Sequence, residues 1–398
     1  MRDADAAPGA VTIGIVAGEA SGDALGAALI RALRERLPDA RFVGIAGPRM
    51  EAEGAQSWYA LETLAVRGLV EVLARLPALL ALRRALYRRF VAERIHLFVG
   101  VDAPDFNLGL ERQLKRAGVR TVHFVSPSVW AWRRERVRKI GRSVDRVLAL
   151  FPFEPPIYEA AGVPVTFVGH PLAALAADHA SRRAARDQLR LPAAAPVFAL
   201  LPGSRRSELE MHEGLILHTA AKIHAARPDA RFLVPLGTRP TRDRFDAARY
   251  RLGLETLPLT LLYGHATDAL RAADVGIVAS GTATLEAALA RCPHVIFYRL
   301  NALTARIVLS RLLVPWVGLP NVLAGRFVVP ELLQEDATPE NLAQAALNLF
   351  DDTVLRRRIE AVFASLGQTL AVNTGTLAAR ALEGELAAGG ALLPGPGR

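Results

Sequence analysis

The sequence has little of what would assign it at sight to an exported, disulfide-stapled, metal-binding or membrane-spanning class. Its one cysteine, Cys292, excludes an intramolecular disulfide. The neighbours of that cysteine, Ala-Arg-Cys-Pro-His, supply no spacing for a metal cluster, so a small buried apolar residue in a reducing compartment is expected. Met1 to Ala10 lacks the basic head and apolar core of a signal peptide, and export is not expected. No uncharged apolar run approaches the roughly 20 residues that cross a bilayer, because Glu71, Arg75, Pro77 and Arg83 break the greasiest region. Aromatics are only 6% of residues and no recognisable nucleic-acid motif is present, which argues against nucleic acid despite a formal net charge of +10. That charge suits an anionic membrane surface or a phosphorylated substrate. There is no short-period repeat.

What is present is a chain of 398 residues, 51% hydrophobic, enough for two cores of ordinary size. Short β-branched runs alternate with amphipathic stretches at Val11 to Ala17, Arg41 to Ile45, His96 to Val101, Thr121 to Val125, Arg146 to Leu150 and Val165 to Val168. After an Ala/Arg-rich stretch the pattern restarts at Pro196 to Leu201, Arg231 to Pro235, Leu259 to Tyr263, Asp274 to Ala279 and His294 to Tyr298. Strands separated by helices predict parallel, doubly wound sheets, and the restart predicts a second α/β domain. The expected domains are 11–175 and 190–350, with a helical tail over 354–383.

Three glycine-bearing turns follow strands and open helices. In the first, Gly18-Glu19-Ala20-Ser21-Gly22-Asp23, small residues allow a ligand to approach a helix amino terminus that attracts negative charge. The spacing is neither a dinucleotide fingerprint nor a Walker loop, and a tight turn capped by Ser21 is the plain alternative. In the second, Pro202-Gly203-Ser204-Arg205-Arg206-Ser207-Glu208, backbone amides and a guanidinium could clamp a diphosphate, with Arg205 the better placed of the two arginines. A helix capped by Ser204 or Ser207 beside solvated arginines would read the same way. In the third, Ser280-Gly281-Thr282-Ala283-Thr284-Leu285-Glu286, Glu286 does not fit a capping box, since the residue three before it is Ala283. It could accept from a ribose or simply face solvent.

A fourth turn, Val101-Asp102-Ala103-Pro104-Asp105-Phe106-Asn107, puts two carboxylates at the carboxyl edge of the sheet. Pro104 fits the first helical position and Asp105 suits the helix dipole, which leaves Asp102 as the candidate general base or as a cap for the same helix. The Asp-x-x-Asp spacing is not the Asp-x-Asp with which metal-dependent sugar transferases hold a cation, so no metal is expected. Between Val66 and Arg94, Val70, Val72, Leu73, Leu76, Leu79 and Leu80 precede an arginine cluster, a pattern for interfacial contact with a bilayer or for ordinary helix packing. Pro77 predicts two short helices there. Ser126 to Arg134 sets Trp130 and Trp132 beside a basic run reaching Arg142 that could hold a phosphate or a sugar, or equally be two core tryptophans beside a solvated helix face, and His123 and His170 read as core or hinge residues.

Taken in order, these blocks resemble the lipid-A-disaccharide synthases, a family of inverting glycosyltransferases of the GT-B fold. The resemblance runs from about Thr12 to Arg380 and includes Ala46-Gly47-Pro48-Arg49-Met50 and Leu319-Pro320-Asn321-Val322 through Arg326. It implies two Rossmann-like doubly wound domains facing a cleft and a reaction of UDP-2,3-diacylglucosamine with 2,3-diacylglucosamine 1-phosphate, without cofactor or metal. It further implies Asp102 as general base, with Gly203, Ser204, Arg205, Ser280, Gly281, Thr282, Glu286 and Asn321 at the donor site. Glu19, Ser21 and Gly22 would line the acceptor cleft. The leucine-rich flap becomes a membrane contact, although Arg67 and Pro77 depart from the family's apolar surface, and the expected location is the cytoplasmic face of a bacterial inner membrane. The readings left to exclude are a peptidoglycan-precursor N-acetylglucosamine transferase, a nucleotide-sugar 2-epimerase and a noncatalytic membrane-surface nucleotide-binding protein.

Overall fold

The computed structural model describes residues 10–64, 69–131, 135–173, 181–301, 305–306, 310 and 312–391, and side chains within 69–74 lie outside the description. The chain divides into two compact units, one of residues 1–171 with 372–398 and one of residues 172–371.

The first unit carries β1 (Thr12–Ala17), α1 (Ala20–Arg34), β2 (Arg41–Ile45), α2 (Pro48–Ala52), β3 (Ala55–Ser57), α3 (Leu69–Ala92) and β4 (Leu97–Val101). It continues with α4 (Pro104–Arg116), β5 (Arg120–Phe124), α5 (Arg136–Gly141), β6 (Arg146–Ala149), α6 (Pro155–Glu159) and β7 (Val165–Phe167). Its sheet is parallel throughout, in the order β3-β2-β1-β4-β5-β6-β7. β1 and β4 are buried along their whole length. Helices cover both faces of such a sheet, which is why these strands read as unbroken apolar runs.

α3 is one helix of 24 residues with Pro77 inside it, not two short ones. Its second half anchors it, through Leu86 and Phe90 in the core. Its first half leaves Leu76 and Leu80 exposed and Leu79 half-buried. Val70, Val72 and Leu73 belong to the helix, but their side chains lie outside the described residues, as does Arg67.

The second unit opens with α7 (Arg182–Gln188), β8 (Val197–Leu201), α8 (Arg206–Ala226), β9 (Arg231–Leu236), α9 (Arg239–Arg251), β10 (Leu259–Tyr263) and α10 (Ala266–Ala272). It closes with β11 (Val275–Ala279), α11 (Thr282–Leu289), β12 (His294–Tyr298), α12 (Leu319–Ala324), β13 (Glu331–Leu333), α13 (Pro339–Asp351) and α14 (Thr353–Leu370). Its parallel strands run β10-β9-β8-β11-β12-β13. Cys292 is buried there, and burial pushes its thiol up to about 12, in keeping with an inert apolar role.

The expected single tail is two helices instead. α14 packs Ile359 and Phe363 into the core of the second unit, while the last helix, α15 (Thr374–Ala388), belongs to the first. The reason is electrostatic as well as apolar. Glu385, buried, accepts from Arg120 and, at 2.8 Å, from Arg146, two arginines that begin β5 and β6. Ala378, Ala379, Leu382 and Leu386 bury the same and adjoining faces of the helix in the core of the first unit.

Candidate functional site

In both sheets the order reverses once, between β1 and β4 in the first unit and between β8 and β11 in the second. Ligands of doubly wound folds bind beyond the carboxyl ends of strands at such a reversal, because the loops there diverge to opposite faces and leave a crevice. Four of the turns picked out in the sequence lie at these two points, two at each.

At the first reversal Ala17 pairs with Val101, so the Gly18 turn and the Asp102 turn leave neighbouring strands. They touch. A β-carbon on Gly18 would lie 2.4 Å from that of Ala103, and one on Gly22 would lie 3.4 Å from the Val101 carbonyl oxygen. Glycine at 18 is therefore a condition for the two turns to meet. Asp102 and Ala103 are both left-handed, at φ 55° and 44°, a conformation that costs a residue with a β-carbon roughly 1–2 kcal/mol. Two hydrogen bonds hold it: the Asp102 amide donates to the Phe124 carbonyl at 2.8 Å, and the Asn107 side chain donates to the Asp102 carbonyl at 2.8 Å. The Asp102 carboxylate is half-buried and engages no donor among the described residues. It is not a cap for α4, whose first turn carries Asp105 instead.

Ser21 is exposed and does not cap α1. The capping position is Glu19, in extended backbone. Asp23 is the structural acid of this turn, accepting from the amides of Gly47, Arg49 and Met50 at 3.0 Å each and so fixing the start of α2. Behind the Asp102 turn, Glu111 and His123 meet at 2.7 Å with neither exposed, which places His123 in the core. Burial pushes the Glu111 carboxyl up, with His123 as the opposing influence.

At the second reversal Leu201 pairs with Val278, and the two turns that follow line one cavity of about 480 Å³. Gly203, Ser204, Arg205, Ser280, Gly281, Thr282 and Glu286 all reach it, together with Tyr298 from β12. Its size is that of an ordinary small-molecule site. The amino terminus of α11 opens into it with no side-chain cap, leaving that helix's first amides and dipole to an anion. Arg205 is half-exposed at the start of α8, whereas Arg206 turns outward to pair with Glu210 at 3.1 Å. Glu286 accepts from the Thr267 hydroxyl at 2.6 Å, so it faces the cavity with a partner and not bulk solvent alone.

The turn before α8 is not an open cradle of amides. Glu208 accepts from the amides of Ser204 at 2.9 Å and Arg205 at 3.1 Å, and its other oxygen accepts from the Tyr298 hydroxyl at 3.1 Å. The tyrosine is pushed up to about 12, by burial first and by the Glu208 carboxylate second. Neither Ser204 nor Ser207 is the cap. Gly203, at φ 119°, leaves room for this carboxylate, which a β-carbon would meet at 2.7 Å. His212, one of several residues without a signal in the sequence, donates from Nδ1 to the Pro202 carbonyl at 2.8 Å and accepts at Nε2 from the Arg299 amide. Burial lowers its pKa, so it holds the turn as a neutral ring.

Asn321 departs from its expected place beside the nucleotide. It is fully buried, donates to the Val329 carbonyl at 2.9 Å and to Glu331 at 2.8 Å, and accepts from the amides of Val328 and Val329. With its amide consumed, it orders the segment between α12 and β13 and has nothing left for a ligand.

Residues 13–380 match the model of a family described as lipid-A-disaccharide synthetase. A lipid-A-disaccharide synthase of Chromobacterium violaceum is 55% identical over 94% of this chain and 97% of its own. Those of Methylobacillus flagellatus and Sodalis glossinidius are 52% and 50% identical over similar spans. Among solved structures, Staphylococcus aureus MnaA with UDP superposes at a TM-score of 0.62 with 14% identity, covering 97% of this chain and 99% of that one. Acinetobacter baumannii MurG does so at 0.59 with 15% identity, over 94% and 99%. At such identities the structures speak for the fold alone, two parallel-sheet α/β domains of the GT-B type.

Proposed function

Because the chain belongs to the lipid-A-disaccharide synthetase family and is thereby a glycosyltransferase of lipid A biosynthesis, we propose that it joins UDP-2,3-diacylglucosamine to 2,3-diacylglucosamine 1-phosphate through a β-1,6 link. The observation that carries this reading is the pairing of turns at the two sheet reversals: a carboxylate without a partner at one, and an arginine, an open helix terminus and an acid around one cavity at the other.

Asp102 takes the proton of the acceptor's 6-hydroxyl as that oxygen attacks the anomeric carbon of the donor. The bond to UDP breaks as the new one forms, UDP leaves with the electron pair, and a single displacement inverts the anomeric centre. Arg205 and the amino terminus of α11 stabilise the charge that grows on the departing diphosphate, the kind of preorganised contribution that dominates such steps. Since these groups supply positive charge themselves, the reaction is metal-independent. Glu286 accepts from the ribose. Glu19, Ser21 and Gly22 border the acceptor.

No helix among the described residues is long and apolar enough to cross a membrane. The exposed Leu76 and Leu80, with Leu79 beside them, support interfacial attachment through the first half of α3 to the cytoplasmic face of the inner membrane, where acylated sugars lie.

The test is mass spectrometry of the product from the diacyl donor and acceptor, beside UDP-N-acetylglucosamine as donor and with and without a chelator. A disaccharide 1-phosphate formed only from the diacyl donor, at a rate the chelator leaves unchanged, is expected. Product from the N-acetylated donor alone would return the peptidoglycan-precursor reading.

A further inference from the structure

Beside the Asp102 turn, α4 and α5 enclose a groove of about 360 Å³ to which the reaction above gives no role. Four cations line it, Arg112 from α4 and Arg136, Lys139 and Arg142 from α5 and the turn after it, with a single carboxylate, Asp105. Asp105 and Arg136 pair at 3.2 Å and largely neutralise each other. Arg112, Lys139 and Arg142 then have no ion-pair partner among the described residues. The contrast lies next door, where Lys115 and Arg120 share Asp145 at 3.1 and 3.3 Å. Three unpaired cations converging over an apolar floor of Leu108 and Ile140 make a local positive potential that only an anion relieves. Guanidinium forks and a flexible ammonium are the groups that bind a phosphate dianion.

The groove's upper end is Asp105, three residues after Asp102, so their α-carbons are at most about 11 Å apart. On its other side the same turn is tied to α3. Arg83 donates to the Asp105 carbonyl at 2.9 Å and packs its guanidinium 5.1 Å from the centre of the Phe106 ring. The turn that carries Asp102 thus joins α3, with its exposed leucines, to an unneutralised basic groove. An amphiphile with acyl chains, a hydroxyl and a phosphate has these three parts.

We propose that this groove binds the phosphomonoester of the sugar-lipid acceptor, with Arg112, Lys139 and Arg142 as its ligands. The proposal rests on the reading of the reaction given above and adds the acceptor's anionic anchor to it. Phosphate held there sets the ring's far side toward Asp102, and an acceptor lacking it loses its register against the base.

The test replaces Arg112, Lys139 and Arg142 together by alanine in the full chain. Their side chains reach solvent, and thermal melting confirms that the variant folds. Binding of 2,3-diacylglucosamine 1-phosphate and of its dephosphorylated counterpart is measured in neutral-detergent micelles without donor. Wild type is expected to favour the phosphorylated lipid by about 10- to 100-fold, the value of one or two charge-assisted contacts, and the variant to lose that preference while binding UDP as before. A variant that keeps the preference overturns the proposal. So does one that keeps it and no longer sediments with phosphatidylglycerol vesicles, since the groove then reads bilayer headgroups. If wild type shows the preference, the variant loses it and wild type forms no disaccharide, the assigned reaction fails and the phosphate site stands.

Discussion

The side-chain amide of Asn107 donates to the carbonyl of Asp102 at 2.8 Å and also reaches that of Val16 at 3.2 Å. One buried side chain on α4 thereby ties the carboxyl ends of both strands at the reversal of the first sheet. It also holds a backbone that would otherwise relax, since Asp102 and Ala103 are both left-handed. Asn107→Ala removes both donors from a fully buried place and is expected to cost about 1–3 kcal/mol for carbonyls left without a partner. In urea unfolding that is a lower midpoint. In steady-state kinetics it is a lower kcat, because the candidate base loses its aim, while UDP binding, which the proposed function assigns to the second unit, stays as it was. A full kcat would show that the Asp102 turn does not need this hold.

Gly18 and Ala103 give a second, reciprocal test. The β-carbon that Gly18→Ala adds would lie 2.4 Å from that of Ala103, a separation real atoms do not tolerate. The turns must part, and a loss of roughly 1–3 kcal/mol is expected, as for overpacking elsewhere. Ala103→Gly removes the opposing atom and also relieves the positive φ. Combined, the two substitutions should recover most of the lost stability and activity in a double-mutant cycle. Additive losses would mean that the contact between the turns is not what requires glycine at 18.

Glu154, almost wholly buried between β6 and α6, sets a pH dependence. Its carboxyl is raised to about 7, by burial first, against the hydrogen bonds it accepts from the Phe151 amide and from Ser126. A raised carboxyl favours the folded state where it is protonated. The contribution is complete below the unfolded value of 4.5, declines from there as pH rises and is lost by about pH 7. The span corresponds to about 3 kcal/mol. His294, lowered to about 4 by burial, works in the opposite sense between pH 4 and 6.5. Comparing wild type with Glu154→Gln cancels that term: the stability difference should move in the variant's favour from pH 5 to 8. A difference constant with pH would show that Glu154 ionises as freely in the folded chain as in the unfolded one.

Much of the fold was legible because parallel strands buried on both faces leave continuous apolar runs, as in β1, β4, β8 and β11. β3, Ala-Gln-Ser, and β13, Glu-Leu-Leu, are three-residue strands at sheet edges, too short to carry a pattern. Pro77 signalled a break that α3 absorbs, since its second half is anchored by Leu86 and Phe90. The turns themselves were visible, but not which turn faces which, because pairing across a sheet is decided by strands tens of residues apart. Asn107 and His212 gave no local signal for the same reason: Asn107 meets Val16 across 91 residues and His212 meets Arg299 across 87. Asn321 shows the converse, a residue whose place in a motif suggested a ligand and whose four hydrogen bonds are all internal.

Glu208 bears on how the second cavity would receive the diphosphate that the proposed function assigns to it. Its carboxylate already occupies the amides of Ser204 and Arg205 and lies 4.0 Å from the Arg205 guanidinium. An incoming diphosphate therefore competes with a built-in anion for the same arginine. Arg205→Ala should weaken UDP by about 10- to 100-fold, the worth of a charge-assisted hydrogen bond. Glu208→Gln keeps an oxygen for the two amides and removes the competing charge, so UDP should bind several-fold tighter. In Arg205→Ala that gain should shrink, because the carboxylate no longer holds back a guanidinium. Calorimetry of UDP binding to the four proteins of this cycle measures the coupling directly. If Glu208→Gln weakens UDP as much as Arg205→Ala does, the glutamate is itself a contact of the nucleotide and not a stand-in for its phosphate.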